Sequence, residues 1–322
     1  MNEQNYSQIM TLKLPSPLAP LKIGTRGSPL ALAQANEAAT RIINTFQLPI
    51  EAIEIVIVKV MGDVIQDRPL REIGGKGLFT REIEEDLLAN KIDIAVHSMK
   101  DMPVEQPPGL ILNTYLPRED VRDAFVSLDF NSISELPDGA TIGTSSLRRK
   151  AQILNKRPDL NIVEFRGNVQ TRLRKLSEGI ANCTFLAMAG LKRLDLEDDH
   201  CHPIHSDEML PAVAQGAIGI ERRATDLNTA HLLEAVHDKA TEQSIATERA
   251  FLAELDGSCA TPIAGLAELN GTHLRLRGEI LRPDGSDLLS DDTSGSISDG
   301  PKIGKEMAEK LLSLADPNFF KF

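Results

Sequence analysis

The strongest constraint on the fold is a regular alternation of short apolar, β-branched segments with segments of helical pattern, from about residue 20 to 222. Strands that alternate with helices of about 10–15 residues are typical of α/β units on a mostly parallel sheet. The chain has 322 residues, too many for one core of ordinary size, so we expect two or three domains. The sequence therefore predicts an α/β protein of several domains.

Two segments of the sequence share one pattern. IGTRGSPLALAQ begins at residue 23 and IGTSSLRRKAQ begins at residue 142, and each contains a strand, a Gly-Thr turn, a serine and the start of a helix. In the first copy, Ser28 is a favourable N-cap residue and Pro29 suits the first helical position. The repeat indicates two similar α/β domains, each opening with such a unit.

The pattern changes after about residue 240. A helical segment, ATEQSIATERAFLAEL, ends before Gly257 and precedes alternating segments separated by Asn270-Gly271 and Asp284-Gly285. Asn-Gly and Asp-Gly pairs in this setting are hairpin signals. KIGKEMAEKLLSL then has the pattern of a closing helix. We therefore expect a third, smaller α+β domain with an antiparallel sheet.

Composition excludes several classes of protein. The formal net charge of −12 argues against general nucleic-acid binding, and no apolar run approaches the roughly 18 residues that a membrane helix needs. The start of the chain lacks the basic and apolar regions of a signal peptide, so we expect residues 1–19 to be a disordered tail. Three scattered cysteines argue against a disulfide framework and favour a reducing cytoplasm.

One region contrasts with this acidic background. Between Thr144 and Lys175 there are nine lysines and arginines and two acidic residues. Arg148 and Arg149 open a helix whose N–H groups and dipole favour anions, and Arg26 occupies the matching turn of the first copy. A solvated basic helix face would explain the pattern, and so would a small polyanion bound between two domains. Because arginine binds both carboxylate and phosphate, the pattern does not distinguish them.

The segment HSMKDMP, residues 97–103, follows the apolar strand IDIAV. A polar surface loop with a Lys100–Asp101 pair would explain it and would contribute little to stability. A lone carboxylate among arginines would instead stay ionised and could stabilise a cationic intermediate or transfer protons. Asp101 is thus a candidate catalytic residue.

Two glycine-containing loops carry candidate site residues. GGKGLF lacks the full spacing of a phosphate loop, and we interpret it as a Gly-rich loop in which Lys76 is available to an anion. Cys259 lies in LDGSCATP, just after a helix and outside any apolar run. A cysteine in such a place could be a point of covalent attachment.

Segment 197–208 resembles a metal site only in composition. Its histidines and cysteine crowd into six residues without a second ligand pair at zinc-finger spacing. We favour a solvated acidic loop without a metal. The candidate ligands are His200, Cys201, His202 and His205.

Eight motifs in chain order resemble the porphobilinogen deaminase family. They are IGTRGSPLALAQ, GDVIQDRPLREIGGKGLF, IDIAVHSMKDMP, GTSSLRR, FRGNVQTRLRKL, AGLKRL, PAVAQGAIGIE and DGSCATPIAG. Each motif alone is weak, but eight in one order between about residues 22 and 265 are highly specific.

The resemblance implies three domains. The first two would be similar to periplasmic binding proteins and hinged, with the chain crossing between them twice, and the third would be the small α+β domain. The implied limits are residues 20–118 with 217–238 for the first domain, 119–216 for the second, and 239–322 for the third, which carries the cofactor cysteine.

The resemblance also implies a transferase of tetrapyrrole synthesis. It would join four porphobilinogen molecules head to tail, releasing ammonia, to give hydroxymethylbilane, with a dipyrromethane cofactor attached to Cys259 by a thioether as primer. Each pyrrole carries an acetate and a propionate, so the growing chain is a string of carboxylates. The expected partners are porphobilinogen and the growing polypyrrole, without nucleic acid or membrane, and we expect a cytoplasmic monomer.

Residue roles follow from the same resemblance. Asp101 matches the family's catalytic aspartate, which would stabilise positive charge on a pyrrole nitrogen and transfer protons at the leaving amine. The residues expected to bind the cofactor are Cys259, Lys76, Ser98, Lys100, Thr144, Ser145, Ser146, Arg148 and Arg149. Those expected to bind substrate are Arg26, Ser28, Arg149, Arg166, Arg172 and Arg193. No metal is expected.

Two other functions agree with parts of the sequence. A non-enzymatic binding protein could also have two α/β domains and an arginine-lined cleft, but it would not require HSMKDMP or Cys259. A phosphotransferase could use GGKG and the arginines, but the sequence lacks phosphate-loop spacing and a clear pair of metal-binding carboxylates. Activity with porphobilinogen, without nucleotide or added metal, would separate the three.

Overall fold

A computed structural model describes residues 12–64, 80–257 and 261–321. The strands are β1 (Leu21–Arg26), β2 (Ile53–Val58), β3 (Ile94–Ser98), β4 (Leu110–Tyr115), β5 (Asp123–Val126), β6 (Thr141–Gly143), β7 (Asn161–Val163), β8 (Cys183–Ala187), β9 (Cys201–Pro203), β10 (Ile218–Arg223), β11 (Ile263–Asn270), β12 (His273–Leu281) and β13 (Leu288–Ser296). The helices are α1 (Pro29–Phe46), α2 (Met61–Val64), α3 (Arg81–Leu88), α4 (Leu147–Lys156), α5 (Val169–Ser177), α6 (Met188–Arg193), α7 (Leu227–Glu234), α8 (Lys239–Glu254) and α9 (Gly300–Leu314).

In the described residues these strands form three sheets, with the orders β2-β1-β3-β10-β4, β7-β6-β8-β5-β9 and β11-β12-β13. In the first sheet, β10 runs antiparallel between β3 and β4, while β1, β2 and β3 are parallel. In the second, β5 runs antiparallel between β8 and β9, while β6, β7 and β8 are parallel. The α/β class and the small antiparallel third domain predicted from the sequence are confirmed.

The first two sheets match position by position. Strands β1 and β6, which open the two copies of the sequence pattern, both occupy the second position of their sheets. The fourth position is filled in each case by the strand that arrives from the other sheet, β10 in the first and β5 in the second. The chain therefore crosses between the two sheets twice, while the residue limits given above for the three domains stay predictions.

The two crossing segments lie side by side. Leu116 N–H donates to Ile218 O at 3.1 Å, and Glu119 N–H donates to Gly216 O at 3.2 Å. Gly216 has a φ of +86°, and a Cβ at this position would lie 2.4 Å from the Glu119 carbonyl oxygen. The close approach of the two crossings therefore requires glycine.

Side-chain caps explain where several of the helices beside the first two sheets begin. The Ser28 hydroxyl accepts a hydrogen bond from Ala31 N–H at 3.2 Å at the start of α1, as the sequence predicts. Asn168 Oδ1 accepts one from Thr171 N–H at 2.8 Å at the start of α5. Each cap satisfies a backbone donor that the helix itself leaves unpaired.

The third sheet is a meander joined by short turns. Asn270 still pairs with His273, so the first turn consists of Gly271 and Thr272, one residue later than the Asn-Gly pair suggests. Helices α8 and α9 pack against the sheet through a core that contains Phe251 and Met307.

That core extends into the first domain. Met99 and Met102 belong to the same buried cluster as Phe251 and Leu255 of the third domain. A Cβ at position 219 would lie 2.2 Å from the Met99 sulfur, so Gly219 of β10 leaves the space that this methionine fills. The turn that follows β3 is therefore packed against two domains at once.

Part of the predicted tail is ordered. Lys13 N–H donates to Asn228 Oδ1 at 2.7 Å, and Asn228 Nδ2 donates back to Lys13 O at 2.9 Å. Leu12 packs against the core of the first sheet. The expectation of disorder up to residue 19 is thus wrong for residues 12–19, because this segment pairs with the start of α7.

Candidate functional site

The predicted site residues of the first two sheets gather at the carboxyl ends of parallel strands. Arg26 is the last residue of β1 and Ser98 is the last residue of β3. Thr144 directly follows β6, and Arg166 comes three residues after β7. This edge of an α/β sheet is where ligands commonly bind.

Asp101 lies on a short 3₁₀ turn, Met99–Asp101, directly after β3. The turn is anchored by Met99, whose N–H donates to Ala217 O at 3.0 Å and whose side chain is 1% exposed. Just before it, the Ser98 hydroxyl accepts a hydrogen bond from Gln34 Nε2 at 2.9 Å. Lys100 and Asp101 are half-buried, so the charged groups of this anchored turn remain partly exposed.

Charged groups from both sheets act on one another here. Burial lowers the pKa of the Lys100 ammonium, Asp101 opposes this, and Arg149 adds to it. The pKa of Arg172 is lowered to about 10, mainly by burial and also by Arg149 and Arg166, while Asp101 acts to raise it. Asp101 of the first domain therefore lies close to arginines of the second.

Arg148 and Arg149 share one buried carboxylate, that of Asp123 at the start of β5. Arg148 Nη1 lies 2.8 Å from Asp123 Oδ2, and Arg149 Nη2 lies 2.7 Å from Oδ1. Gln215 Nε2 donates to the same Oδ1 at 3.0 Å. Burial acts to raise the pKa of Asp123, but the two arginines outweigh it and hold the pKa well below its ordinary value.

Both guanidinium groups also donate hydrogen bonds to backbone carbonyl groups. Arg149 Nη1 donates to Phe185 O at 2.7 Å, and Arg148 Nη1 donates to Leu210 O at 2.8 Å. Each residue is only 5% exposed. The carboxylate that these arginines contact in the structure belongs to Asp123, so their binding of a ligand carboxylate stays a prediction.

The small polar residues of the second turn organise the turn itself. Ser145 Oγ accepts a hydrogen bond from Phe165 N–H at 2.9 Å, and Thr144 Oγ1 accepts one from Ser146 N–H at 3.2 Å. Ser146 caps α4 through the N–H of Arg149. These contacts hold the loop in the shape that presents the start of α4 to the cleft.

Arg193 joins the two domains. Its Nε donates to Glu37 Oε2 of α1 at 2.9 Å, and its Nη2 donates to Gly216 O at 3.2 Å. These contacts place Arg193 at the boundary between the two domains. Because they already occupy two of its donors, its role in substrate binding stays a prediction.

Two predicted residues, Lys76 and Cys259, lie outside the described residues. On either side of the second, the structure describes Gly257 and Thr261. Among the residues that the structure describes, no group of three or more histidine, cysteine, aspartate or glutamate side chains is placed to hold a metal ion. Within the same ranges, no helix combines the length and apolar character of a membrane span.

The charge of this site fits a ligand that carries several carboxylates. We name as the basic cluster the five cations that act on one another around Asp101. They are Lys100, Arg148, Arg149, Arg166 and Arg172. Against them stand three carboxylates that act on members of the cluster, Asp101, Asp123 and Glu279, which leaves a surplus of two positive charges. Because neighbouring arginines lower the pKa of Arg172, added negative charge would stabilise the cluster.

Sequence reasoning missed several residues that hold the site together. Asp123 and Gln215 support the paired arginines, Gln34 holds Ser98, and Glu248 and Arg249 connect α8 to neighbouring segments. One signal in the sequence could have indicated them: a charged residue at the edge of an apolar segment, as in DAFV and ERAFL. Such a residue is expected to be buried with its segment, and a buried charge needs a partner.

Comparison with known proteins agrees with the motifs. The family model described as "Porphobilinogen deaminase, dipyromethane cofactor binding domain" matches residues 21–231, and "Porphobilinogen deaminase, C-terminal domain" matches residues 243–313. The chain is 60% identical over 308 residues to porphobilinogen deaminase of Paracoccus denitrificans, covering 96% of this chain and 98% of that protein. It is 53% identical over 307 residues to the chloroplastic porphobilinogen deaminase of Pisum sativum, covering 93% and 83%.

Among solved structures, the chain is similar to a periplasmic substrate-binding protein of an ABC transporter from Coxiella burnetii. The TM-score is 0.41 at 15% identity, covering 69% of this chain and 93% of that one. The fold class rests on the sheets described above and not on this likeness. The two family models together span most of the sequence, and with the close relatives they show that the chain belongs to the porphobilinogen deaminase family.

Proposed function

We propose that the chain joins four porphobilinogen molecules head to tail, with release of ammonia, and forms hydroxymethylbilane in tetrapyrrole synthesis. Membership of the porphobilinogen deaminase family supports this reaction, and the matched cofactor-binding domain supports a dipyrromethane primer. The observation that carries the proposal is the basic cluster, which carries a surplus of positive charge and two of whose members, Lys100 and Arg172, interact with the half-buried Asp101.

The basic cluster fits the acetate and propionate groups of linked pyrroles. Lys100, Arg148 and Arg149 would hold the carboxylates of the dipyrromethane, and Cys259 would be its covalent anchor. When bound, the dipyrromethane supplies the pyrrole carbon to which the first substrate unit is joined. Charge-assisted hydrogen bonds from arginine to carboxylate are short and directional, so the cluster would also orient the growing chain.

Asp101 is the residue that we assign to the chemistry. Loss of ammonia from a pyrrole leaves positive charge that spreads to the ring nitrogen, and a preorganised carboxylate at that position would stabilise it. The same carboxylate can transfer a proton at the leaving amine.

Substrate carboxylates require further cations beside the cofactor. We assign this role to Arg26, Arg149, Arg166, Arg172 and Arg193, with Ser28 as a neighbouring polar group. Arg26 and Arg166 support the assignment by lying at or just after the carboxyl ends of parallel strands, one in each of the first two sheets. Arg193 would have to exchange Glu37 for a substrate carboxylate, because its Nε donates to Glu37 at 2.9 Å.

We also propose that the protein acts as a cytoplasmic monomer that binds neither nucleic acid nor membrane. The net charge of −12 supports the exclusion of nucleic acid, because phosphate backbones attract basic proteins. Light scattering after size-exclusion chromatography at several concentrations tests the monomer, and cell fractionation tests the location. A concentration-independent dimer mass, or recovery with membranes, would contradict these proposals.

The decisive test of the proposed function is the mass of the purified protein. We expect additional mass equal to two linked pyrrole units on the peptide that contains Cys259, and ammonia release when porphobilinogen is supplied without nucleotide or added metal. Cys201 provides a matched control, because it is a half-buried thiol whose pKa is raised by burial to about 11, which makes it a poor nucleophile.

The extra mass should disappear in Cys259→Ser and persist in Cys201→Ser. If the protein carries no extra mass before or after incubation with porphobilinogen, and releases no ammonia, the deaminase proposal fails. A non-enzymatic anion-binding protein would then be the better interpretation of the basic cluster.

A further inference from the structure

Arg249 of α8 contacts the backbone that follows Asp101. Its guanidinium donates to three successive carbonyl groups, at 3.4 Å to Met102 O, 2.7 Å to Pro103 O and 2.8 Å to Val104 O. Three consecutive carbonyls that converge on one side chain bend the chain around it. The loop beyond the 3₁₀ turn is therefore held from the third domain.

Arg249 forms no ion pair within the described part of the chain, where its hydrogen bonds go to these three carbonyl groups. Burial lowers the pKa of its guanidinium. Burying part of a cation without a carboxylate partner costs desolvation free energy and contributes little to stability. Its fork of donors, however, suits several acceptors at fixed angles better than any other side chain.

The same turn is held by apolar contacts on both sides of Asp101. Met99 and Met102 are 1% and 5% exposed and belong to one buried cluster with Phe251 and Leu255, which follow Arg249 by two and six residues. The backbone on either side of Lys100 and Asp101 is thus fixed to the third domain. Only the two charged side chains project from this anchored turn.

The helix that holds the turn is itself well fixed. Glu248, next to Arg249, is fully buried and binds Arg118 through both carboxylate oxygens, at 2.6 and 3.0 Å. Helix α8 ends at Glu254, five residues before Cys259. One helix therefore supports the turn of Asp101 through Arg249 and leads directly into the segment that carries the predicted tether.

We infer that Arg249 is a positioning residue, which sets the place of Asp101 by fixing the 102–104 backbone to α8. The inference rests on the proposed function, in which Asp101 acts on substrate and Cys259 carries the primer. It gives the third domain a role in the reaction, since α8 then holds the backbone beside the reacting carboxylate.

Loss of this contact should affect the reaction more than the binding of substrate. A displacement of about 1 Å in a catalytic group can reduce the rate by on the order of 100-fold. The arginines that we assign to the substrate carboxylates lie on other segments, whereas the hydrogen bonds of Arg249 go to the 102–104 carbonyls. We therefore expect Arg249→Met to reduce kcat by at least about tenfold, equivalent to about 1.4 kcal/mol of activation free energy, with KM changed by less than about twofold.

The experiment uses the holoenzyme with Arg249→Met, Arg249→Lys and the control Arg275→Met. Methionine keeps the apolar stem without donors, while lysine keeps three donors on one ammonium and should restore part of kcat. Arg275 lies on β12 and forms an exposed ion pair with Asp292, so its variant should behave as wild type. Cofactor mass on Cys259, kcat, KM and amide hydrogen exchange over residues 99–104 are measured for each.

Reduced kcat, unchanged KM, retained cofactor mass and faster exchange over 99–104 in Arg249→Met would support the inference. Wild-type kcat in that variant, or loss of the cofactor mass, would overturn it. If Arg249→Met does not fold, Arg249→Lys decides, because a kcat and an exchange rate equal to wild type would overturn the inference. If wild-type protein itself shows no turnover, the proposed function fails, and exchange over 99–104 still tests the contact independently.

Discussion

At the scale of single residues, the positive charge of the site is balanced from inside the protein by Asp123. Its two oxygens lie 2.7 and 2.8 Å from Arg149 and Arg148, and its side chain is fully buried. The arginines thereby keep a fixed direction before any ligand binds. A site held in this way loses little order when it binds an anion, which favours affinity.

Asp123 should make stability depend on pH. Its pKa is near 3.9 in an unfolded chain and lower in the folded protein, where burial raises it but the arginines lower it more. The native state therefore binds fewer protons, and this contribution is complete above about pH 5 and is lost as the pH falls below about 4. Asp123→Asn should lower the free energy of unfolding by about 3–5 kcal/mol at pH 7.

Urea unfolding at pH 7, 5, 4 and 3 measures both effects. The Asn variant should lose less stability than wild type between pH 5 and 3, because it has no carboxylate to protonate at this position. Asp159→Asn is the control, since the hydrogen bond from Arg157 lowers the pKa of Asp159 to about 2 but the residue is exposed. Exposed pairs contribute little, so equal losses for the two variants would contradict this account.

Asp101 should matter for turnover and not for folding. We expect Asp101→Asn to keep its cofactor mass and its unfolding midpoint while kcat falls by on the order of 10²–10⁴. Glu105→Gln is a matched control, because Glu105 is an exposed carboxylate four residues further along the same loop. Ammonia release and intact mass measure the two properties, and a variant with more than half of the wild-type kcat would remove Asp101 from the mechanism.

Residue roles were the least predictable part of the site from sequence. The motif HSMKDMP correctly places Asp101 after a strand, and Ser28 is the N-cap that its position before proline predicts. The role of Asp123 could not be predicted from the sequence, because its partners lie 25 and 26 positions away in the chain. Pairing at such separations depends on how the strands are ordered in the sheet.

At the scale of elements, the turn before α5 depends on one glycine. Gly167 has a φ of +120°, and a Cβ there would lie 2.5 Å from Thr171 Cγ2. This turn connects Arg166 to the helix that carries Arg172, whose Nε donates to Gly167 O at 2.9 Å. Any change in the turn would therefore move two cations of the basic cluster.

Gly167→Ala should destabilise more than Gly179→Ala. Gly179 at the other end of α5 also has positive φ, +73°, but a Cβ there would meet nothing within 4 Å, so its replacement should cost about 1 kcal/mol. The Gly167 variant adds a steric clash of about 1–3 kcal/mol and should weaken substrate binding as well. Unfolding and KM measurements test the pair, and equal losses in both variants would show that the contact with Thr171 is relieved freely.

Element types and most helix starts could be predicted because they depend on local chemistry. Period, caps and Asn-Gly or Asp-Gly pairs identify α1, α4, α8 and the meander of the third domain. The antiparallel placement of β5 and β10 could not be predicted from residues alone. Their apolar composition suits either direction, and direction is decided by which segment precedes them.

At the scale of the whole molecule, Glu248 ties three parts of the chain together. Besides binding Arg118 of the first crossing, it accepts hydrogen bonds from Ala214 N–H of the second crossing at 2.7 Å and from Ala267 N–H of β11 at 2.8 Å. Its carboxylate is thus shared by both connections between the α/β domains and by the third sheet.

Glu248→Gln should weaken all three domains together. Removing one charge of a buried pair costs about 3–5 kcal/mol, which would lower the thermal midpoint by on the order of 5–10 °C. Glu254→Gln on the same helix is the control, because Glu254 is partly exposed and its nearest cation, Lys305, is 3.8 Å away. Calorimetry should show the shifted transition, and an unchanged midpoint would mean that the three segments are held by other contacts.

The exchange of strands between the first two sheets bears on how the protein is made. Strand β10 lies between β3 and β4, but the ribosome synthesises it only after β5, β6, β7, β8 and β9 have all emerged. Until residue 223 is translated, the first sheet has an open gap between β3 and β4, whereas the second can close as soon as residue 203 appears. The domain that begins later in the chain is therefore completed first, and the first domain stays incomplete until β10 has been synthesised.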